Sequence, residues 1–63
     1  MPNVIIEMHP GRSLEEHRLL VRKVTDAVVD SLGVDPAGVR VRIAEIDRHH
    51  FAVGGILRSD VAH

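Results

Sequence analysis

The 63-residue chain has no cysteine, so neither a disulfide nor a thiolate metal site is open to it. It has no tryptophan or tyrosine and a single phenylalanine, Phe51, so no large aromatic core can form. No apolar run approaches the roughly 20 residues that span a bilayer. The start lacks the basic segment and apolar stretch of a secretion signal. These absences lead to the expectation of a soluble, cytoplasmic protein with no membrane partner. Charge of one sign is missing as well. Eight basic and nine acidic residues give a formal net charge of −1, which offers no electrostatic footprint for nucleic acid. No repeat, low-complexity tract or linker divides the chain.

What is present is aliphatic: 44% of the residues are hydrophobic, much of that Val, Ile and Leu. A chain this short makes one domain at most, residues 1–63, and buries only about 60% of its unfolded surface. Small domains usually add disulfides, a metal or partner chains. With disulfides excluded, the economical conclusion is that apolar surface is buried between copies of the chain, in a homo-oligomer.

The pattern predicts a strand over 3–8, with Val4, Ile6 and Met8 on one face and Asn3, Ile5 and Glu7 on the other. His9-Pro10-Gly11-Arg12 breaks it. Ser13-Leu14-Glu15-Glu16 has capping-box form and opens a helix near 14–32. Its apolar stripe is Leu20, Val24, Val28 and Leu32, widened by Leu14, Val21 and Ala27. Gly33 suits the position after the helix and Pro36 forbids continuation. Asp35-Pro36-Ala37-Gly38 reads as a turn, and Val39 to Ile46 as a second strand with Arg40, Arg42 and Ala44 sharing a face. Strand, helix and strand with short joins imply a right-handed β-α-β unit with parallel strands. Val53-Gly54-Gly55-Ile56 suits a tight hairpin whose arms pack on a neighbouring chain.

Four residues carry candidate chemistry. Met before a small residue is normally removed, which would leave Pro2 as the mature N-terminus. Its secondary amine is then a base or nucleophile in a rigid ring. With Met1 attached, the same nitrogen is a tertiary amide with no useful basicity. Arg12 sits in a turn before a helix N-terminus, where a guanidinium suits a carboxylate, or is simply solvated. Arg40 alternates onto one sheet face, where it binds an anion or makes a structural ion pair. Phe51, beside a glycine pair, either walls an apolar pocket or is ordinary core. The five histidines lack the close ligand spacing of a metal site. No Ser-His-Asp set, phosphate loop or dinucleotide fingerprint is present.

Pro after Met, Gly11-Arg12-Ser13, the long helix, Val39-Arg40-Val41 and His50-Phe51-Ala52-Val53-Gly54-Gly55 together resemble the 4-oxalocrotonate tautomerase family, over nearly the whole chain. The resemblance implies an α+β fold: a β-α-β protomer with a C-terminal hairpin, two protomers sharing a four-stranded sheet, and three dimers making a hexamer. It implies a cofactor-independent tautomerase acting on small dienol or keto acids such as 2-hydroxymuconate. Pro2 would be the general base and Arg12 the clamp on one carboxylate. Arg40 of a neighbouring subunit would hold the other end and polarise the enone oxygen, and Phe51 would keep the site apolar. An α-amino group titrates near 8, and burial beside guanidinium groups disfavours its charged form, so a neutral base is physically accessible.

Pro10, His49 and Ala52 depart from the family's pattern near the presumed pocket rim, and Arg42 adds a second cation on the Arg40 face. Phenylpyruvate tautomerisation, or hydration of haloacrylates with Glu7 or Glu45 activating water, therefore stays open at the same site. So does a non-catalytic oligomeric binding module.

Overall fold

The computed structural model describes residues 1–61. Strand β1 (Asn3–Met8) leads through the Pro10-Gly11 corner into helix α1 (Leu14–Leu32). A 3₁₀ turn (Pro36–Gly38) then feeds strand β2 (Arg40–Glu45). A second 3₁₀ turn (Arg48–His50) precedes the short strands β3 (Ala52–Val53) and β4 (Ile56–Leu57), and a third (Arg58–Asp60) follows them.

Local chemistry sets these boundaries. The Ser13 hydroxyl accepts the Glu16 N–H at 3.1 Å, and the Glu16 carboxylate accepts the Ser13 N–H at 3.0 Å, completing the capping box. Gly33 adopts φ 65° and donates its N–H to Val29 O at 2.9 Å, ending the helix. The expected strand start at Val39 is displaced by one residue, because the Val39 N–H bonds Pro36 O at 3.1 Å and so closes the 3₁₀ turn. Gly54 and Gly55 have φ 60° and 81°, the pair of positive values that a two-residue hairpin needs between β3 and β4. Ser13→Ala removes the oxygen that the box is built on. It is expected to lower stability by about 1 kcal/mol, read as a shift in urea or thermal unfolding.

The sheet is parallel, with Asn3 opposite Arg40, Ile5 opposite Arg42 and Met8 opposite Glu45. Two bonds lengthen the ladder at its ends: Arg40 N–H to Pro2 O at 3.0 Å and Ile46 N–H to Met8 O at 2.7 Å. Helix α1 covers one face. Its half-buried stripe is His17, Leu20, Val21, Val24, Thr25, Val28 and Val29. Leu14, Ala27 and Leu32, assigned to the stripe from periodicity, are exposed instead.

No described residue is fully buried in the single protomer. Its radius of gyration is 14.9 Å, against about 11 Å for a compact chain of this length. Its surface is 4956 Å², against roughly 4000 Å² for a compact monomer of this size. Ile5, Val53 and Ile56 are each more than half exposed, and both edges of the β1-β2 sheet are unpaired among the described residues. Such a slab has the secondary structure of a folded domain without its core, which is the state expected of a chain whose core forms between copies.

Candidate active site

A parallel pair sends both strands the same way, so whatever precedes them gathers at one end of the sheet and whatever follows them gathers at the other. Pro2 and Arg40 mark the first end. Pro2 is half-buried and tied by its carbonyl to the Arg40 N–H. Alternation puts the proline on the helix side and the Arg40 side chain on the open face, beside Asn3, Ile5 and Arg42. A shallow cleft of about 420 Å³ lies along this open face. Arg40 and Arg42 are exposed there, and neither has an acidic partner within salt-bridge distance among the described residues.

Arg12 and Phe51 mark the second end. Phe51 lies 45% exposed in a cleft of about 460 Å³ with Glu7, Met8, His9, Ile46 and His50. The His9 ring meets it edge to face, with centroids 5.7 Å apart. Arg12 stands on the helix side of Met8, in a smaller hollow of about 240 Å³ with Glu16, His17 and Leu20. Its guanidinium reaches the Glu16 carboxylate at 3.3 Å across an exposed turn of helix. An exposed pair of this kind is weak, so a ligand carboxylate can replace Glu16 at little cost.

The Glu16 carboxyl is held below its ordinary value of 4.5, first by the Ser13 N–H and then by the Ser13 hydroxyl and Arg12. A carboxyl held low adds stability above its ordinary value and loses it as the pH falls through the lowered one. The capping box therefore weakens only in acid. Asp47 is lowered chiefly by the His49 N–H that it caps, and its carboxylate lies 2.6 Å from His49 Nδ1. That contact occupies His49, while the adjacent His50 turns to the Phe51 cleft. Glu45, a candidate for activating water, points to the helix side, 3.7 Å from His17 Nε2, away from that cleft. Glu7, the other candidate, lines it.

The sequence-derived residues thus fall at two ends of the sheet, Pro2 and Arg40 on opposite faces at one and Arg12 and Phe51 in separate hollows at the other, and are not gathered into one group. Six residues of strand separate Pro2 from the Phe51 end, about 20 Å at 3.3 Å each. His9 is the cleft residue to which sequence reasoning gave no role, since it read as part of the break after β1 and as a histidine without metal-ligand spacing.

The chain is similar to known proteins over nearly its whole length. A family model described as Tautomerase enzyme matches residues 2–60. The 2-hydroxymuconate tautomerase of Bacillus subtilis is 41% identical over 61 residues, 97% of this chain and 98% of its own. The solved structure of YwhB, a homologue of 4-oxalocrotonate tautomerase, superposes with a TM-score of 0.93 at 39% identity, over 97% of this chain and 100% of that one. A heterohexamer 4-oxalocrotonate tautomerase from Chloroflexus aurantiacus follows with a TM-score of 0.89 at 34% identity, over 98% of this chain and 100% of that one. The chain belongs to the tautomerase family, and its β-α-β fold with a C-terminal hairpin is the fold of those relatives. It is a tautomerase-type isomerase.

Proposed function

We propose that the chain, once Met1 is removed, is a single-domain, cofactor-independent tautomerase that ketonises 2-hydroxymuconate-like dienol acids. One observation about this chain supports the reading most. In one protomer Pro2 lies on the helix side and the Arg40 side chain on the open face, while Arg12 and Phe51 lie at the far end of a sheet too long for one small acid to bridge. Two protomers running antiparallel would set the Pro2 end of one against the Phe51 end of the other. The open strand edges and the exposed Ile5 face supply the surfaces for this. The active assembly in this reading is a cytoplasmic homohexamer, a trimer of dimers.

In this mechanism the neutral Pro2 amine takes the enol proton and returns it to carbon, which moves the double bonds along the chain. Arg40 of a neighbouring protomer stabilises the negative charge that develops on the oxygen. Arg12 holds a carboxylate, and Phe51 excludes water so that the amine stays uncharged. The conjugated carbonyl is its own electron sink, so no cofactor takes part.

Arg12 makes its contact equally in the bound substrate and the transition state. Arg12→Ala is therefore expected to raise KM about tenfold or more with kcat little changed, in the 2-hydroxymuconate ketonisation assay. Unchanged KM would remove Arg12 from the site. Absence of ketonisation by correctly processed wild type would remove the dienol-acid reading altogether. Phenylpyruvate-type tautomerisation is the second reading. It is favoured by the cleft around Phe51, which has an apolar wall and a carboxylate, Glu7, where a second substrate carboxylate would want a cation.

A further inference from the structure

His9 is held in the Phe51 cleft by two contacts. Its Nδ1 lies 2.9 Å from Ile46 O. A carbonyl only accepts, so Nδ1 carries the hydrogen and donates. Ile46 is itself fixed, since its N–H bonds Met8 O at 2.7 Å. The second contact is the edge-to-face packing on Phe51, at 63° between ring planes. Both contacts leave Nε2 free. It has no protein partner among the described residues, and it is not among their sealed polar atoms. In a neutral imidazole whose hydrogen sits on Nδ1, Nε2 is a lone-pair acceptor.

The surroundings restrict what such an acceptor can meet. Glu7, two residues earlier on β1, presents another acceptor, and His50 enters from the 3₁₀ turn. Met8, Ile46 and Phe51 are apolar, and among the described residues no lysine or arginine lines this cleft. A second carboxylate would meet Glu7 with no fixed cation to offset it. An aryl group can lie on Phe51, and a hydroxyl at its tip would be a donor facing acceptors.

We propose that His9 determines specificity, with its Nε2 accepting a hydrogen bond from a hydroxyl at the end of an enol acid that lies against Phe51. The carboxylate end is left to the arginines. The inference rests on the tautomerase reading and develops its aryl arm, naming hydroxyaryl enol acids as the class preferred there. Nδ1 positions the ring and Nε2 makes the contact.

The test is binding to the intact processed oligomer of two saturated acids that cannot enolise, 3-(4-hydroxyphenyl)propanoate and 3-phenylpropanoate, by calorimetry. Wild type is expected to prefer the hydroxylated acid about three- to tenfold, the worth of one hydrogen bond. His9→Leu is expected to abolish the preference. His9→Asn places an amide nitrogen where Nδ1 was, keeping the tie to Ile46 with nothing at Nε2. It too is expected to lose the preference. His9→Gln, whose terminal oxygen reaches the Nε2 position, is expected to recover part of it. If His9→Leu does not assemble, His9→Asn decides the matter. An equal affinity of wild type for the two acids overturns the proposal, as does a full preference in His9→Asn. Tighter His9-dependent binding of hexanedioate than of the hydroxyaryl acid overturns it as well. A wild type that shows the preference but turns over no enol acid keeps the His9 contact and loses the tautomerase reading. One that turns over enol acids without the preference loses only His9.

Discussion

Protein that keeps Met1 is expected to ketonise 2-hydroxymuconate about 10²–10⁴-fold more slowly than protein whose chain begins at Pro2, the usual contribution of a positioned general base. The reason is confined to one atom. Acylation by Met1 turns the Pro2 nitrogen into a tertiary amide, whose lone pair is delocalised into the carbonyl. Nothing else at that end of the sheet depends on Met1. Met1 is 78% exposed, and Pro2 is tied to β2 through its own carbonyl, which accepts from the Arg40 N–H with or without the preceding residue. The two forms are thus expected to share secondary structure, assembly and melting temperature while differing in rate. Intact mass identifies each form, and a stopped-flow assay on both gives the ratio. Equal rates would take the base away from Pro2.

Arg40→Ala is expected to lower kcat by about 10²–10³-fold, the scale set by removing one preorganised group from a developing oxyanion, with a smaller change in KM. The substitution is mild for the protomer. The guanidinium is exposed on the open sheet face and makes no hydrogen bond or salt bridge among the described residues. The backbone bond to Pro2 O survives it. Arg42 provides an internal control, because it shares the face and the exposure but lies two residues further along, opposite Ile5. Arg42→Ala is expected to cost much less, and a loss equal to that of Arg40→Ala would make the pair a single anion-binding unit.

Local chemistry made much of this fold legible. Ser13 with Glu16, Gly33, and Gly54-Gly55 each meet a backbone requirement that few residues satisfy, and each lies where the sequence put it. The helix stripe was legible only in part. A four-residue spacing advances about 40° per step on a helix of 3.6 residues per turn, so Leu20 and Leu32 point about 120° apart. One sheet cannot cover both, and the structure half-buries Val29 and Thr25 while leaving Leu32 in solvent. That choice belongs to tertiary packing, which a spacing rule does not contain.

The candidate site divides in the same way. That Arg12 and Phe51 share one end of the sheet, and Pro2 and Arg40 the other, follows from parallel strands, which the sequence implied. His9 was not legible. Its role depends on a carbonyl 37 positions away and on a ring that arrives from beyond β2. The proposed building of one site from several chains was legible only indirectly, as an excess of aliphatic residues over what one small protomer can cover.

That one site draws its Pro2 and its Arg40 from different chains is the claim on which the rest depends, and mixing two defective proteins tests it most directly. Protomers retaining Met1 and processed protomers carrying Arg40→Ala are each expected to be nearly inactive alone. Unfolded together and reassembled in equal amounts, with mixed oligomers verified by native mass spectrometry, they are expected to recover about a quarter of wild-type activity, because in an interface between copies one site in four draws an intact Pro2 and an intact Arg40 from different chains. Verified mixed oligomers with no recovered activity would contradict the account.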